Sequence, residues 1–457
     1  MGGPSSKYPN FDAILYEIKI YKEMHKNVQE LEFYNTDLHF ENVNFYYQKN
    51  ILYCDFLTDR YSEIPQNTTH AKNATKFGKY ISENSFISEV QYVCYSENRP
   101  IRKIKMSLHE IHFGKQDKVN IAFLPCYQNL VRLDNAIEFG PMQGHFRLNN
   151  INFSIYFVCN DGRYLAVSSD KPLITNEFNK YLMAIKTAFD FVNCEVTDGD
   201  VFFFLTNDDY SQVKNMSVKP ISSKAKLYFD IFINNSYPLT VAFKNIYGNE
   251  AMYLTAEQFG KLCQLLWKEK QMQAAVNYIL QSANLWLEYQ LVFLSVALEA
   301  ISKYCNASSK LLKAARFLKL KQDIANLVNT QQDIAENERN TIIGKIQNSK
   351  SNKDMLKAPF DENNIKIYAD DEKILKKRNE ILHGTAPEYS DNVDDDIKEY
   401  CKEIKILHSL LYRLILKLTG YNGYILNLKE WDKIQEYHNK FSMSQTTKDC
   451  KDFFVKI

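Results

Sequence analysis

The sequence predicts an α+β multidomain chain: a β-rich, sandwich-like domain over residues 1–254, an all-α helical bundle over 255–430, and a C-terminal tail over 431–457. Three observations carry that division. Nine of the 11 prolines and ten of the 14 glycines fall within residues 1–260. Between Lys261 and Ile343 there is neither Gly nor Pro, which a domain of short strands and tight turns would hardly manage. The hydrophobic pattern changes in the same place, from a strand-like alternation to a period of about 3.6 residues.

In the first domain, residues 40–47, 89–95, 103–113, 152–158, 201–205 and 226–233 are rich in aromatic and β-branched side chains and read as strands. Ile104, Met106 and Leu108 alternate with polar neighbours, as one face of a strand does. Arg99-Pro100, Asp161-Gly162, Asp198-Gly199 and Tyr247-Gly248 punctuate them as turns. One helix interrupts, over 176–192, where Tyr181, Leu182, Ile185, Phe189 and Val192 recur at helical spacing.

Thr255-Ala256-Glu257-Gln258 has the spacing of a capping box, so the helical part starts there. Helices are predicted over 256–268, 272–304, 309–328 and 331–347, followed by a polar loop over 349–370 that contains Pro359. A helix over 371–384 comes next. In the last long helix Ile397, Tyr400, Ile404, Leu407, Leu411, Leu414 and Leu418 form one stripe, and Gly420 closes it.

The totals exclude several classes. A formal charge of +1 over 457 residues gives no polyelectrolyte signal for coating long DNA, though a local basic patch remains compatible with RNA. Nine scattered cysteines without a CxxC pair suit reduced thiols better than a disulfide framework. No apolar run is long enough to span a bilayer, and no signal-peptide core is present. A cytoplasmic protein without a membrane partner is expected. His109 and His112 sit three apart in a strand-like stretch and so face opposite ways, and no P-loop or zinc-type spacing occurs.

The stretch with chemistry in it is Asp371-Glu-Lys-Ile-Leu-Lys-Lys-Arg-Asn-Glu-Ile-Leu-His-Gly384. Ile374, Leu375, Ile381 and Leu382 share a stripe, and Arg378 lies in its middle. A guanidinium on an apolar face is costly unless it is paired or given a task. Asn379 and His383 are four apart, one turn from each other, and Gly384 and Pro387 end the helix on its histidine. Lys376 and Lys377 either add positive potential for an RNA backbone or form a solvated face. A second charge is out of place: Glu299, within the apolar run 291–301. Either it reaches a surface edge, or it pairs with Arg378 and fixes that fork as an oriented donor.

Arg378-Asn379-Glu380-Ile381-Leu382-His383 resembles the Arg-polar-x-x-x-His signature of the HEPN superfamily, helical domains many of which are ribonucleases that need no metal. Residues 294–301 resemble the first core helix of ApeA-like HEPN domains, and Leu418-Thr-Gly-Tyr-Asn-Gly-Tyr424 resembles the turn after their last helix. The resemblance implies an endoribonuclease without cofactor or metal, in which Arg378 stabilises the phosphorane, His383 serves as general acid or base near neutral pH, and Asn379 orients the ring or the phosphate. It also implies a homodimer with a composite cleft, a 2′,3′-cyclic phosphate product, and a role in abortive infection against phage. The target would be tRNA or another cellular RNA, released to attack by a phage-derived trigger sensed through the N-terminal domain. The rival expectation is a catalytically silent HEPN scaffold whose β-rich domain binds a protein or carbohydrate. HEPN toxins restrained by a modifying antitoxin typically carry Tyr two residues after the motif histidine; here that position is Thr385.

Overall fold

The computed structural model describes residues 9–24, 118–126, 143–158, 163–197, 199–221, 225–227, 237–248, 250–305, 313–346, 352–382, 393–440 and 447–457. It also describes Phe229, Phe232 and, as backbone, strands between residues 30 and 113. Two compact units share the chain. Unit 1 takes Met1–Lys268, Tyr421–Leu426 and Trp431–Lys456; unit 2 takes Glu269–Gly420, Asn427–Glu430 and Ile457.

Unit 1 is built on an antiparallel sheet. Its strands in chain order are β1 (Asn44–Gln48), β2 (Ile51–Thr58), β3 (Asn84–Tyr95), β4 (Arg102–Phe113), β5 (Lys118–Pro125), β6 (Gln143–Leu148), β7 (Ile151–Val158), β8 (Tyr164–Ile174), β9 (Gly199–Thr206) and β10 (Val213–Ile221). They run in the order β6-β7-β8-β5-β9-β10-β4-β2-β1, with β3 also paired to β4 and the short strand Thr69–Ala71 paired to β3. The run Val201-Phe-Phe-Phe-Leu205 on β9 is apolar without alternation because both faces of the sheet are covered. Helix α1 (Asp12–Met24) lies on one face, where Phe11 meets Phe123 and Tyr156, and Phe123 meets Phe204. Helix α2 (Thr175–Asn193) lies on the other, where Phe178 meets Phe153 and Phe203.

Helices therefore cover this sheet where the sequence pattern pointed to a sandwich, and α1 was not anticipated. Among the described residues of the strand expected over 226–233, only Lys226 lies in one, at Ala225–Lys226; Leu227, Phe229 and Phe232 beyond it are buried outside any strand. Their aromatic content reflects burial, not strand pairing.

Two more helices follow in this unit, α3 (Tyr237–Tyr247) and α4 (Ala256–Lys268). The capping box of α4 forms in both directions: Gln258 N–H donates to Thr255 Oγ1 at 3.2 Å, and Thr255 N–H donates to Gln258 Oε1 at 2.9 Å. Phe259 of α4 packs edge-on against Phe146 of β6, and Trp267 stacks on Tyr181 of α2. Gly260 permits the approach, since a Cβ there would sit 2.8 Å from that of Phe146.

Unit 2 comprises α5 (Lys270–Ser282), α6 (Leu287–Cys305), α7 (Ala314–Asn329), α8 (Glu336–Lys345), α9 (Asn352–Glu362), α10 (Ala369–Leu382) and α11 (Val393–Leu418). The single helix expected over 272–304 is two, because the chain turns at residues 283–286. Ser282 Oγ donates to the Ile279 carbonyl there, and Gln290 Nε2 caps the Leu285 carbonyl at 2.9 Å. The polar loop expected over 349–370 contains α9 with Pro359 inside it. Leu356, Ala358 and Phe360 are buried, and that apolar contact offsets the hydrogen bond the proline removes.

After α11 the chain returns to unit 1 as β11 (Tyr424–Leu426), α12 (Trp431–Lys440) and β12 (Phe454–Lys456), with β11 and β12 antiparallel. Residues 431–457, set apart as a tail by sequence, thus supply Ile434, Cys450, Phe453 and Phe454 to a core shared with Leu239 and Phe243 of α3. Tyr421 is fully buried and donates to the Tyr424 carbonyl at 2.7 Å. A Cβ on Gly423 would lie 2.4 Å from the Ala251 carbonyl oxygen, so this turn requires glycine. Among the described residues no helix is long and apolar enough to cross a membrane.

Candidate functional site

Helix α10 starts with a local lock. The Asp371 carboxylate accepts the Tyr368 N–H at 3.0 Å, satisfying one of the donors a helix start leaves open. Along the next two turns Ile374, Leu375 and Arg378 face inward at 3%, 2% and 5% exposure. Arg378 forms an ion pair with Glu299 of α6 through Nη2 and Oε1, the pairing inferred from the two misplaced charges. Desolvation draws the Arg378 pKa below its usual value.

Glu299 is not enclosed, however. Its side chain is 34% exposed, and Lys303 Nζ approaches it at 3.9 Å. The reason lies in α6, which is not buried all round: Tyr289, Val292, Phe293, Val296, Glu299 and Lys303 fall on a partly exposed stripe. Apolar residues on that stripe make the helix look central in sequence. Trp286, just before it, is 80% exposed.

The lysines divide. Lys377 Nζ donates to both oxygens of the buried Glu403 carboxylate on α11, at 2.7 and 2.8 Å, and lies 5.2 Å from the Tyr400 ring centre. Lys373 reaches Glu399 of the same helix at 3.5 Å. The α10–α11 contact is therefore ion-paired, and Lys377 belongs to it, while Lys376 is exposed. Asn379 lies on α10, and His383 lies outside the described residues, one position past the end of α10.

A second charged constellation sits at the opposite end of α10. Asp371 is fully buried and Arg413 of α11 is 2% exposed; Nη1 of Arg413 lies 3.5 Å from Asp371 Oδ2, and Nη2 donates to the Lys366 carbonyl at 2.6 Å. Lys429 Nζ reaches Asp371 Oδ1 at 2.8 Å. Burial pulls the Arg413 pKa down, and the charge of Asp371 opposes that shift. Lys366, Lys429 and Arg413 also surround the Tyr368 ring at 5.0, 4.9 and 5.7 Å from its centre. Arg413 lies about 140° round α11 from the centre of the stripe that includes Ile397, Tyr400, Leu411 and Leu418, so that apolar pattern gave no sign of it. Asp371 looked like an ordinary acidic first-turn residue.

His408, on the same stripe of α11, is a core residue at 1% exposure, with Ser282 Oγ 3.5 Å from Nε2. Burial lowers its pKa to about 3. Among the described residues no group of three or more His, Cys, Asp or Glu side chains has an arrangement that could hold a metal ion. Comparison with protein-family models, with curated proteins and with solved structures finds no match.

Proposed function

We propose that this chain is a HEPN-type endoribonuclease that needs no metal and cleaves tRNA or other cellular RNA during abortive infection, under control of its N-terminal unit. The observation that supports this reading is the Arg378–Glu299 pair. Arg378, one turn before the end of α10, is held by a carboxylate on a neighbouring helix, which fixes the orientation of its five-donor fork. RNA supplies its own nucleophile, the 2′-hydroxyl, so the protein need add only a charge for the phosphorane and a proton carrier. Arg378 takes the first role and His383 the second, with Asn379 orienting. One imidazole per site favours a homodimer in which two such helices share a cleft, one histidine accepting a proton while the other donates.

One observation favours a second reading. Lys377 is committed to Glu403 and Arg378 to Glu299, as in a helix whose cations hold a fold together. A catalytically silent HEPN scaffold has that character. Incubating the purified chain with total tRNA, with and without EDTA, separates the two. The nuclease reading expects fragments ending in a 2′,3′-cyclic phosphate despite chelation, and their loss in His383→Ala with the far-UV spectrum unchanged. Fragments that persist in His383→Ala reject the assignment of that residue, and tRNA left intact by the wild-type chain supports the scaffold.

A further inference from the structure

The hairpin α7–α8 is unlike the rest of unit 2. Among the described residues of 313–346 none is buried. Four large apolar side chains stand open on it: Leu318 at 64%, Leu327 at 63%, Leu320 at 44% and Ile342 at 41% exposure. On α7, Phe317, Lys321, Ile324, Ala325 and Val328 are the partly covered residues, and their spacing marks the side turned to α8. At about 100° per residue, Leu320 and Leu327 lie roughly 80° to one side of that line. Arg339, Ile343 and Ile346 mark the matching line on α8. Because α8 runs back against α7, Ile342 falls on the same face of the hairpin as Leu320 and Leu327. The apolar arc of α7 is wider than one neighbouring helix can cover.

Charge along the hairpin is segregated. Its root carries Lys313, Arg316, Lys319, Lys321 and Lys345 with no acidic residue between 313 and 322 or between 341 and 345. The half toward the tip carries Asp323, Asp333, Glu336 and Glu338 against one cation, Arg339. The root is thus formally +5 and the tip half −4 + 1 = −3. Two hairpins laid parallel would set like charges against like; laid antiparallel, each root meets the other's tip. That arrangement is self-complementary about a twofold axis.

We propose that the α7–α8 hairpin is a self-association arm, which packs antiparallel on the same hairpin of a second copy of this chain through Leu320, Leu327 and Ile342. The arm rests on its own burial and charge, so it stands whether or not the chain cleaves RNA, and it is a surface separate from α10. Sedimentation equilibrium of the full-length protein tests it. The arm contact adds to any pairing through α10, so the wild type is expected to form at least a dimer, and Leu320→Asp with Leu327→Asp to weaken the arm contact by at least about tenfold in Kd and so halve the mass of the assembly. Both side chains are solvent-exposed in the single chain, so the melting temperature measured at concentrations well below the Kd of the contact should not move. Arg316→Glu with Lys319→Glu should weaken it similarly, and adding Asp333→Lys with Glu336→Lys should restore it. A wild-type monomer overturns the proposal, as does an assembly indifferent to the leucine substitutions. Mixing with RNA in place of a second copy, seen as tRNA binding lost in the leucine variant of a monomeric chain, would also overturn it.

Discussion

The charges of unit 2 differ in how completely they are enclosed, and their removal should rank accordingly. Asp371 is fully buried beside Arg413, so Asp371→Ala strands a cation at 2% exposure and should cost about 3–5 kcal/mol. Glu299 is 34% exposed, where water and Lys303 soften the loss, so Glu299→Ala should cost about 1–3 kcal/mol. Urea unfolding of both variants checks the order; a Glu299→Ala as stable as wild type would mean that the Arg378 pair adds nothing. His408 gives a pH signature. Its ordinary pKa is 6.5 and burial lowers it to about 3, so the unfolded chain binds the proton that the folded chain excludes. The contribution is complete above pH 6.5 and is lost as pH falls toward 3, with a slope of up to about 1.4 kcal/mol per pH unit. Comparing His408→Leu with wild type between pH 7 and 5 should show a shallower loss in the variant, whatever its absolute stability. Arg378 and Glu299 were legible because each broke an apolar pattern. Asp371 was not, since an aspartate in a first helical turn is ordinary and only the fold brings Arg413 and Lys429 to it.

At the scale of elements, periodicity identified helices well and neighbours poorly. The capping box at Thr255 and the closing Gly420, at φ 80°, form as their residue types dictate. The break between α5 and α6 escaped because neither Gly nor Pro marks it; side-chain bonds from Ser282 and Gln290 stabilise the turn instead. Pro359 argued for a loop where burial of Phe360 holds a helix. In β9 the continuous run of phenylalanines carried more information than its strand assignment used, since a strand with one wet face alternates. Phe203 and Phe204 point to opposite faces, toward α2 and toward Phe123, and each is at most 1% exposed. Phe203→Ala and Phe204→Ala should therefore both lose about 3–5 kcal/mol in chemical denaturation. A near-neutral result for either would mean that its helix does not cover that face.

For the whole molecule, composition separates a β-rich stretch from a helical one, while the compact units divide along a different line. Helix α4 is a helix by period and by cap, yet it buries Phe259 against β6 and groups with the sheet. No pattern within α4 states which neighbour its apolar face will meet. The end of the chain makes the same point more strongly, because β11, α12 and β12 complete the core around α3. Unit 1 is thus assembled from segments more than 150 residues apart in sequence, Met1–Lys268 and Tyr421 onward. Ending the chain at Gly420 should then act on unit 1 as a core deletion. Leu239, Ala242 and Phe243 would lose Leu426, Ile434, Phe453 and Phe454, and Tyr421 would no longer pack edge-on against Phe232. With about 3–5 kcal/mol for each buried aromatic and a typical domain stability of about 5–15 kcal/mol, the loss is comparable to the whole stability of the unit. Dye binding to exposed apolar surface and rapid proteolysis within residues 237–268 are the expected readouts. A truncated chain that melts cooperatively at the wild-type temperature would show that α3 keeps its place without the returning segment, and that the last residues are the separable tail their composition suggested.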